Sequence, residues 1–424
     1  MKITELKKRI EEGGLECARD LYRDLDAARE RVLAAIRTFT ELFGEDREVM
    51  LLSVPGRSEI LGNHTDHNGG KVLAGAIDRD IIAVVSPTED GRVRLKSEGY
   101  PMDEVSLADT EDPEKFKDFS SVALIAGVID GVRKNGYRVG GFDAYTTSDV
   151  LKGSGISSSA AYEVMIGNIL NHLYNGGSID NVEIAKIAMY SENVFFGKPS
   201  GLMDQMACAV GGFVFIDFAD KASPVIEPLS FSLSDAGYEL CIINTGGNHA
   251  DLNDDYASVP KEMRAVAAIL GRDILSGTEE CEIIARAGEI RERAGDRALL
   301  RAIHFVRECE RVSRAARALR EGRLADFFGE VSASGHSSFE YLQNVYTVKN
   351  VSEQGLSVAL MLADGFGREN IGAYRVHGGG FAGTIQAYVR KEAIDKFEAL
   401  VNSVLGEGAL MRLSVRPRGA VRVL

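Results

Sequence analysis

The segment Gly140-Gly-Phe-Asp-Ala-Tyr-Thr-Thr-Ser148 reads as a strand that delivers the chain to a glycine- and serine-rich turn, Lys152-Gly-Ser-Gly-Ile-Ser-Ser-Ser-Ala-Ala161. An amphipathic helix, Tyr162 to Tyr174, follows at once. Strand, glycine-rich turn and helix start in that order make a phosphate cradle. N–H groups left free at a helix amino terminus point outward, and glycines let the backbone approach a phosphate closely. The serines add hydroxyls suited to phosphate or a metal ion. No Gly-Lys-Ser/Thr follows, which sets the segment apart from the P-loop. Taken alone, a glycine-serine turn before a helix is a capped helix start.

A second segment, Val54-Pro-Gly-Arg-Ser-Glu-Ile-Leu-Gly-Asn-His-Thr-Asp-His-Asn-Gly-Gly70, lies between apolar runs and reads as a loop between buried strands. Arg57, Asn63, His64, Asp66, His67 and Asn68 crowd it, among glycines that permit tight turns. So many donors and acceptors suit a polyhydroxylated ligand, where each hydroxyl needs a partner aimed at it. A solvated surface turn is the alternative that the residues alone leave open. A third stretch, Val376-His-Gly-Gly-Gly-Phe-Ala-Gly-Thr-Ile-Gln-Ala-Tyr-Val389, takes glycines into a strand of alternating pattern and by itself suggests a bulge or close backbone packing.

At 424 residues the chain has room for roughly two or three domains and buries large cores without help. Its 49 Lys and Arg stand against 63 Asp and Glu, a balance of −14 with no local basic patch. That argues against a nucleic-acid partner and reads as a solubility feature. Cys17, Cys208, Cys241, Cys281 and Cys309 are scattered, odd in number and without a Cys-x-x-Cys pair. They argue against a disulfide framework or a thiolate metal site and are expected to be reduced, several of them buried. No run approaches the roughly 18 consecutive apolar residues of a membrane span, and the charged amino terminus lacks the apolar core of a signal peptide. The expected location is the cytoplasm, with no membrane partner.

Residues 1 to about 43 read as helices broken at Gly13-Gly14, with Leu25, Ala28, Val32, Ala35 and Ile36 at helical spacing. The charged first helix is expected to be a solvated surface helix, with an arm packed on the body or on a partner as the alternative. Asp80 to Ser86 and Val93 to Ser97 are expected strands, joined as a hairpin by a turn at Glu89-Asp-Gly-Arg92. Helical spacing returns at 119–134 and at Ile184 to Phe195, which carries Glu192; Gly197-Lys-Pro-Ser-Gly-Leu-Met-Asp-Gln-Met-Ala-Cys208 then opens an apolar segment. By themselves Glu192 is a solvated helix residue and Asp204 a cap. A strand, Leu240 to Thr245, ends in a polar loop reaching Tyr256, and residues 260 to 330 are mostly helical with solvated charged faces. No internal repeat or low-complexity tract is present.

The run from Phe39-Thr-Glu-Leu-Phe-Gly44 through Pro55-Gly-Arg57 and His64-Thr-Asp-His-Asn-Gly-Gly70 resembles the sugar-binding signature of galactokinases, members of the GHMP family of small-molecule kinases. Gly153-Ser-Gly-Ile-Ser-Ser-Ser-Ala-Ala161 is similar to that family's ATP loop, and 376–389 to its third motif. Gly201-Leu-Met-Asp-Gln205 resembles the galactokinase stretch with the catalytic Asp, and Glu192, twelve positions earlier, stands where the family binds magnesium. Departures are Asn63 for the usual Glu, His67 for Tyr, Leu151 for Pro, Gly335 within a Ser-His-x-Ser segment, and Ala382 for Gly.

The resemblance implies an α/β (α+β) chain with the two-domain GHMP kinase fold and the active site in the cleft between domains. The expected organisation is a helical extension over 1–22, an N-terminal domain over 23–235 carrying the sugar and ATP loops, and a C-terminal domain over 236–424. The implied activity is an ATP-dependent sugar 1-kinase, with galactose as the substrate and a C6-modified sugar such as galacturonate as the alternative. A non-catalytic sugar and ATP sensor is a further reading, and a decarboxylase or a mevalonate or homoserine kinase has no reason to carry the His-Thr-Asp-x-Asn-Gly-Gly loop.

Catalytic roles then fall to Arg57 and Asp204, with Arg57 neutralising the γ-phosphate or holding Asp204 ionised. Sugar contacts fall to Asn63, His64, Asp66 and Tyr256, with His249 a weaker candidate; His336 is expected to be structural. Gly153, Ser154, Gly155, Ser157, Ser158 and Ser159 would hold ATP, and Ser158, Ser159 and Glu192 would hold Mg²⁺. Asn63 in place of a Glu that faces C6 of the sugar removes a charge-assisted bond and also a repulsion toward a carboxylate. The expected partners are the small-molecule sugar and ATP, and the expected state is a monomer or weak homo-oligomer.

Overall fold

The structure is a computed structural model and describes residues 1–116, 119–150, 155–198, 200–220, 223–247 and 252–424. Leu151, Lys152, Gly153, Ser154 and His249 lie outside the described residues. The chain divides into two compact units, one of Met1–Arg57, Ala76–Gly212 and Arg416–Leu424, the other of Ser58–Gly75 and Phe213–Val415.

In chain order the first unit carries α1 (Ile3–Glu11), α2 (Leu25–Phe43), β1 (Met50–Leu61), β2 (Lys71–Thr88), β3 (Arg92–Ser97), β4 (Met102–Ser106), α3 (Ser121–Lys134), β5 (Gly141–Ser148), α4 (Ser158–Tyr174), α5 (Asn181–Tyr190) and α6 (Met203–Val210); β1 and β2 run across the unit boundary. The Asp24 carboxylate starts α2 by accepting from the N–H groups of Asp26 and Ala27. Val32, Ala35, Ile36 and Phe39 of α2 meet Ile3, Leu6 and Ile10 of α1 in a core shared with Leu51, Ile82, Val84 and Tyr145. The first helix is therefore not a solvated surface element. Its apolar residues recur every three or four positions, one buried stripe under a charged face.

β2 and β3 do not form a hairpin. The strand order is Val421–Arg422, β1, β2, β5, β3, β4, so β5 sits between β2 and β3. It runs antiparallel to residues 81–88 of β2 and parallel to β3. Phe142 to Thr147 of β5 are all buried, the pattern of a strand covered on both faces. A central strand of that kind satisfies both neighbours' hydrogen bonds, which a lone hairpin pairing leaves open on the outer sides.

The second unit carries β6 (Phe213–Asp217), β7 (Val225–Leu229), β8 (Tyr238–Asn244), α7 (Asn253–Ile269), α8 (Glu280–Ala285), α9 (Ala287–Ala294), α10 (Asp296–Arg320), α11 (Leu324–Ser337), α12 (Gly355–Gly365), β9 (Ile371–His377), β10 (Thr384–Arg390), α13 (Ile394–Leu405) and β11 (Leu410–Leu413). Lys71 to Gly75 of β2 pair with β6, and a separate antiparallel sheet runs β11, β8, β10, β9. Cys241, Ile243, Ile385 and Ala387 of that sheet share a core with α12 and Phe397 and Val401 of α13. The third glycine stretch is the turn between β9 and β10, not a bulge within a strand: Gly378, Gly380 and Gly383 have φ of 70°, 80° and 97°. At Gly380 a Cβ would collide with the Asn344 carbonyl, so the close approach as well as the φ requires glycine.

All the cysteines are free thiols, with Cys208 and Cys241 buried and Cys17 and Cys281 exposed. No helix among the described residues is long and apolar enough to cross a membrane.

Candidate active site

In the first unit, β1 delivers Arg57 to the start of α4. Gly56 lies so close that a Cβ there would stand 2.6 Å from the Ile156 carbonyl, and the Arg57 N–H donates to that same carbonyl at 3.1 Å. Three N–H groups of the guanidinium go to protein acceptors: Nε donates to Asp204 Oδ1 at 2.7 Å, Nη2 to Asp204 Oδ2 at 2.8 Å, and Nη1 to the Gly155 carbonyl at 2.6 Å. This is a bidentate fork on a carboxylate. Ser157 Oγ donates to Asp204 Oδ2 at 2.5 Å. Burial by itself would raise the Asp204 carboxyl, but the Arg57 charge and these hydrogen bonds hold it below its ordinary value.

Ser157 has φ of 61° and its side chain makes no capping bond to α4, because the hydroxyl faces Asp204. The first N–H groups of α4 are thus left without the usual serine cap, where an anion is favoured. Ser158 and Ser159 occupy this first turn and are partly buried, and Gly155 before them is exposed with φ of 74°.

Glu192 sits on a π-helical turn, Ser191–Phe196, that continues α5, a distortion common at functional sites. Its Oε1 accepts from Lys198 Nζ at 2.8 Å and its Oε2 from Gln205 Nε2 at 2.8 Å. Gln205 Nε2 also donates to Glu163 Oε2 at 3.1 Å, bridging two buried carboxyl groups. Burial first, and then the negative charge of Glu192, push the Glu163 carboxyl well above the usual carboxylate range. Among the described residues no group of three or more His, Cys, Asp or Glu could hold a metal ion.

The second unit holds the expected sugar residues around the β9–β10 turn. His64 has φ of 58° and its Nε2 lies 2.9 Å from the Gly379 carbonyl; burial lowers its pKa, keeping the ring neutral. Tyr256 Oη donates to the Gly380 carbonyl at 2.8 Å, its ring edge-on to Phe381 at 5.5 Å. Asn63 is fully buried: Nδ2 donates to Glu59 Oε1 at 3.1 Å and to the Gly378 carbonyl at 2.6 Å, and Oδ1 accepts from Asn344 Nδ2 at 2.7 Å. Asp66 and His67 lie in a short turn, Asp66–Asn68, and are partly buried. Asn63, His64 and Tyr256 are therefore brought together on one glycine turn. His336 is exposed and does not join them.

Sequence reasoning missed what holds this loop. Glu308 of α10 is fully buried and its Oε1 accepts from the Gly62 N–H at 3.0 Å and Ser334 Oγ at 2.6 Å, while Oε2 accepts from Arg311 Nε at 2.7 Å. His304 Nε2 lies 2.9 Å from the Asn63 carbonyl. Burial pulls His304 down to about 4, against the opposing charge of Glu308. Glu163 and Gln205 were missed as well; an acid inside the apolar run Ala160 to Met165 was the available signal.

Residues 37–87 match the family model for the galactokinase galactose-binding signature, and residues 123–212 that for the N-terminal domain of GHMP kinases. The galactokinase of Streptomyces coelicolor is 32% identical over 377 residues, 88% of this chain and 92% of that protein. The chain belongs to the galactokinase family. The galactokinase of Clostridium tetani is 30% identical over 87% of this chain and 90% of its own. In fold, this galactokinase-family chain matches the crystal structure of Lactococcus lactis galactokinase complexed with galactose, with a TM-score of 0.77 over 92% of this chain and all of the other at 24% identity. A mevalonate kinase matches over 87% of this chain with a TM-score of 0.59, so the fold is that of the GHMP kinases. As a member of the galactokinase family the chain is an enzyme, a sugar phosphotransferase that uses ATP as its substrate.

Proposed function

We propose that the chain transfers the γ-phosphoryl group of ATP to the anomeric hydroxyl of galactose, with Mg²⁺ at Glu192. The acceptor oxygen attacks the γ-phosphorus, the bond to the β–γ bridging oxygen breaks, and ADP leaves with that electron pair. The hydroxyl proton passes to Asp204 and then to solvent. The observation that carries this reading is the Arg57 fork on Asp204, with Ser157 as third partner, at the glycine-opened start of α4. A carboxylate held ionised is a weak base but a fixed acceptor, so it orients the attacking hydroxyl while a loose transition state demands little basicity. Arg57, being spent on Asp204 and Gly155, acts by fixing that carboxylate.

The uncapped first turn of α4, with Gly155, Ser157, Ser158 and Ser159, supports nucleotide phosphates there. Mg²⁺ takes one or two carboxylates and completes its shell with phosphate and water oxygens. Glu192 supplies such a carboxylate, Ser158 and Ser159 are assigned the hydroxyl contacts, and the buried Gln205 Oε1 has no hydrogen-bond partner, leaving acceptor capacity in the Glu192 cluster. Bound, the ion would neutralise charge on the β- and γ-phosphates. Asp66 and His64 are assigned to the sugar, and Tyr256 to the turn behind it.

The amide of Asn63 is consumed by Glu59, Gly378 and Asn344, which favours a second reading. A position that presents no carboxylate tolerates a sugar altered at C6, galacturonate included. Purified protein with Mg-ATP should be offered galactose, galacturonate, glucose and N-acetylgalactosamine, following ADP release and isolating the product. Galactose 1-phosphate supports the first reading and turnover of galacturonate alone the second. No turnover with any sugar, or unimpaired kcat in Asp204→Asn, would overturn the assignment.

A further inference from the structure

The phosphoryl-transfer reading gives Mg²⁺ part of the charge on the transferring group and assigns no side-chain cation to it. The Arg57 guanidinium has one N–H of each nitrogen on Asp204 or on the Gly155 carbonyl. A fork held this way cannot turn toward a substrate without releasing the carboxylate it fixes.

Lys198 is differently placed. Its backbone N–H donates to the Glu192 carbonyl at 3.1 Å, which seats the residue at the end of the π-helical turn, directly after Gly197 at φ of 79°. Its ammonium donates to Glu192 Oε1 at 2.8 Å. The Glu192 side chain is 4% exposed, whereas that of Lys198 is 58% exposed, so one partner is fixed and the other has room to move. The cation lies in the field of the acceptor-fixing Asp204 and of Glu192, on a flexible stem with three rotatable donors. An ordinary surface ion pair has two solvated partners; this one has a buried carboxylate, itself gripped by Gln205.

We propose that Lys198 is a catalytic residue whose ammonium rests on Glu192 in the free enzyme and contacts the terminal phosphoryl group of bound ATP. The inference rests on the phosphoryl-transfer reading of Arg57, Glu192 and Asp204. It concerns a residue outside the glycine loops, and it divides the work of the cations: Arg57 fixes the carboxylate, and Lys198 follows the phosphoryl group.

The test uses the full chain with Lys198→Met and Lys198→Arg. Affinities for ADP and for a non-hydrolysable imido analogue of ATP are measured by calorimetry, beside kcat with galactose. Lys198→Met should weaken the analogue by about tenfold while leaving ADP binding as in wild type, the loss of one charge-assisted bond. Its kcat should fall by about a hundredfold, as when one transition-state donor is removed. Lys198→Arg should recover most of the analogue affinity. Equal weakening of ADP and analogue, or a lower melting temperature with discrimination and kcat intact, would overturn the proposal, since either is what a merely structural ion pair predicts. The binding arm needs neither sugar nor turnover. A wild-type protein that phosphorylates no sugar, yet loses its triphosphate preference in Lys198→Met, would sink the kinase reading and support the contact.

Discussion

Arg57 grips Asp204 through parallel N–H bonds, Nε to Oδ1 at 2.7 Å and Nη2 to Oδ2 at 2.8 Å, between residues 147 positions apart in sequence. The pair does two things at once. It keeps the carboxylate ionised, and it fixes the direction in which its remaining lone pairs point.

Arg57→Lys should therefore act as a severe change. A single ammonium cannot reproduce the fork, and kcat should fall by about a hundredfold or more. Wild-type Asp204 is held below the ordinary carboxylate value; with the fork gone, burial prevails and its pKa rises. The protonated fraction at a given acid pH then grows, so the acid limb of the pH profile of kcat should shift to higher pH. An unmoved limb would show that Arg57 does not govern Asp204.

The Gln205 amide bridges two buried carboxyl groups. Gln205→Leu leaves Glu163 and Glu192 each short of a buried donor and should cost about 2 kcal/mol of stability. Glu163→Gln replaces a carboxyl that burial drives toward its neutral form by an amide of nearly the same shape and should cost less than about 1 kcal/mol. Denaturant titration of both variants decides it; equal losses would mean that Glu163 is ionised.

Asn63→Asp places a second carboxylate where Nδ2 now donates to Glu59 Oε1 at 3.1 Å. The new charge is buried and faces a like charge, so the variant should lose about 3 kcal/mol or more. Asn63→Ser should be milder, because it removes bonds without adding charge. Thermal unfolding of the two proteins, read side by side, tests the order.

Acid should weaken the unit that holds α10. Glu308 is pulled from 4.5 to about 2, chiefly by Arg311 against its own burial, so its stabilising contribution is complete above 4.5 and is lost as pH falls toward 2. His304 is pulled from 6.5 to about 4 by burial, so the unfolded chain takes up its proton first and stability declines as pH falls from 6.5 toward 4. Denaturant midpoints should drop through both windows. His304→Gln should flatten the upper one; an unchanged slope there would remove His304 as the cause.

Much of the site was legible in the sequence because it is local. Gly155, Ser157 and the helix beginning at Ser158 are consecutive, so the strand, turn and helix order could be read from composition and period. The α2 stripe of Val32, Ala35, Ile36 and Phe39 was equally readable, since a helix repeats its buried face within a few residues. The first helix misled because charge dominates its composition, while burial depends on the stripe of Ile3, Leu6 and Ile10 alone.

What the sequence by itself determined about this chain is the set of chemical groups and their local presentation: a glycine- and serine-rich turn before a helix, Arg57 and Asp204 within recognisable motifs, and a polar loop at 62–70. Only the tertiary structure decided which groups are spent on one another. Asn63 looked like a ligand contact and is consumed by Glu59, Gly378 and Asn344; Arg57 was expected at the γ-phosphate or on Asp204, and the fold puts it on Asp204. β5 entered between β2 and β3 for the same kind of reason. Strand partners, buried hydrogen bonds and charge pairs join residues tens to hundreds of positions apart, and a local pattern carries no term for them. Each such group is satisfied by whichever partner the folded chain brings within reach.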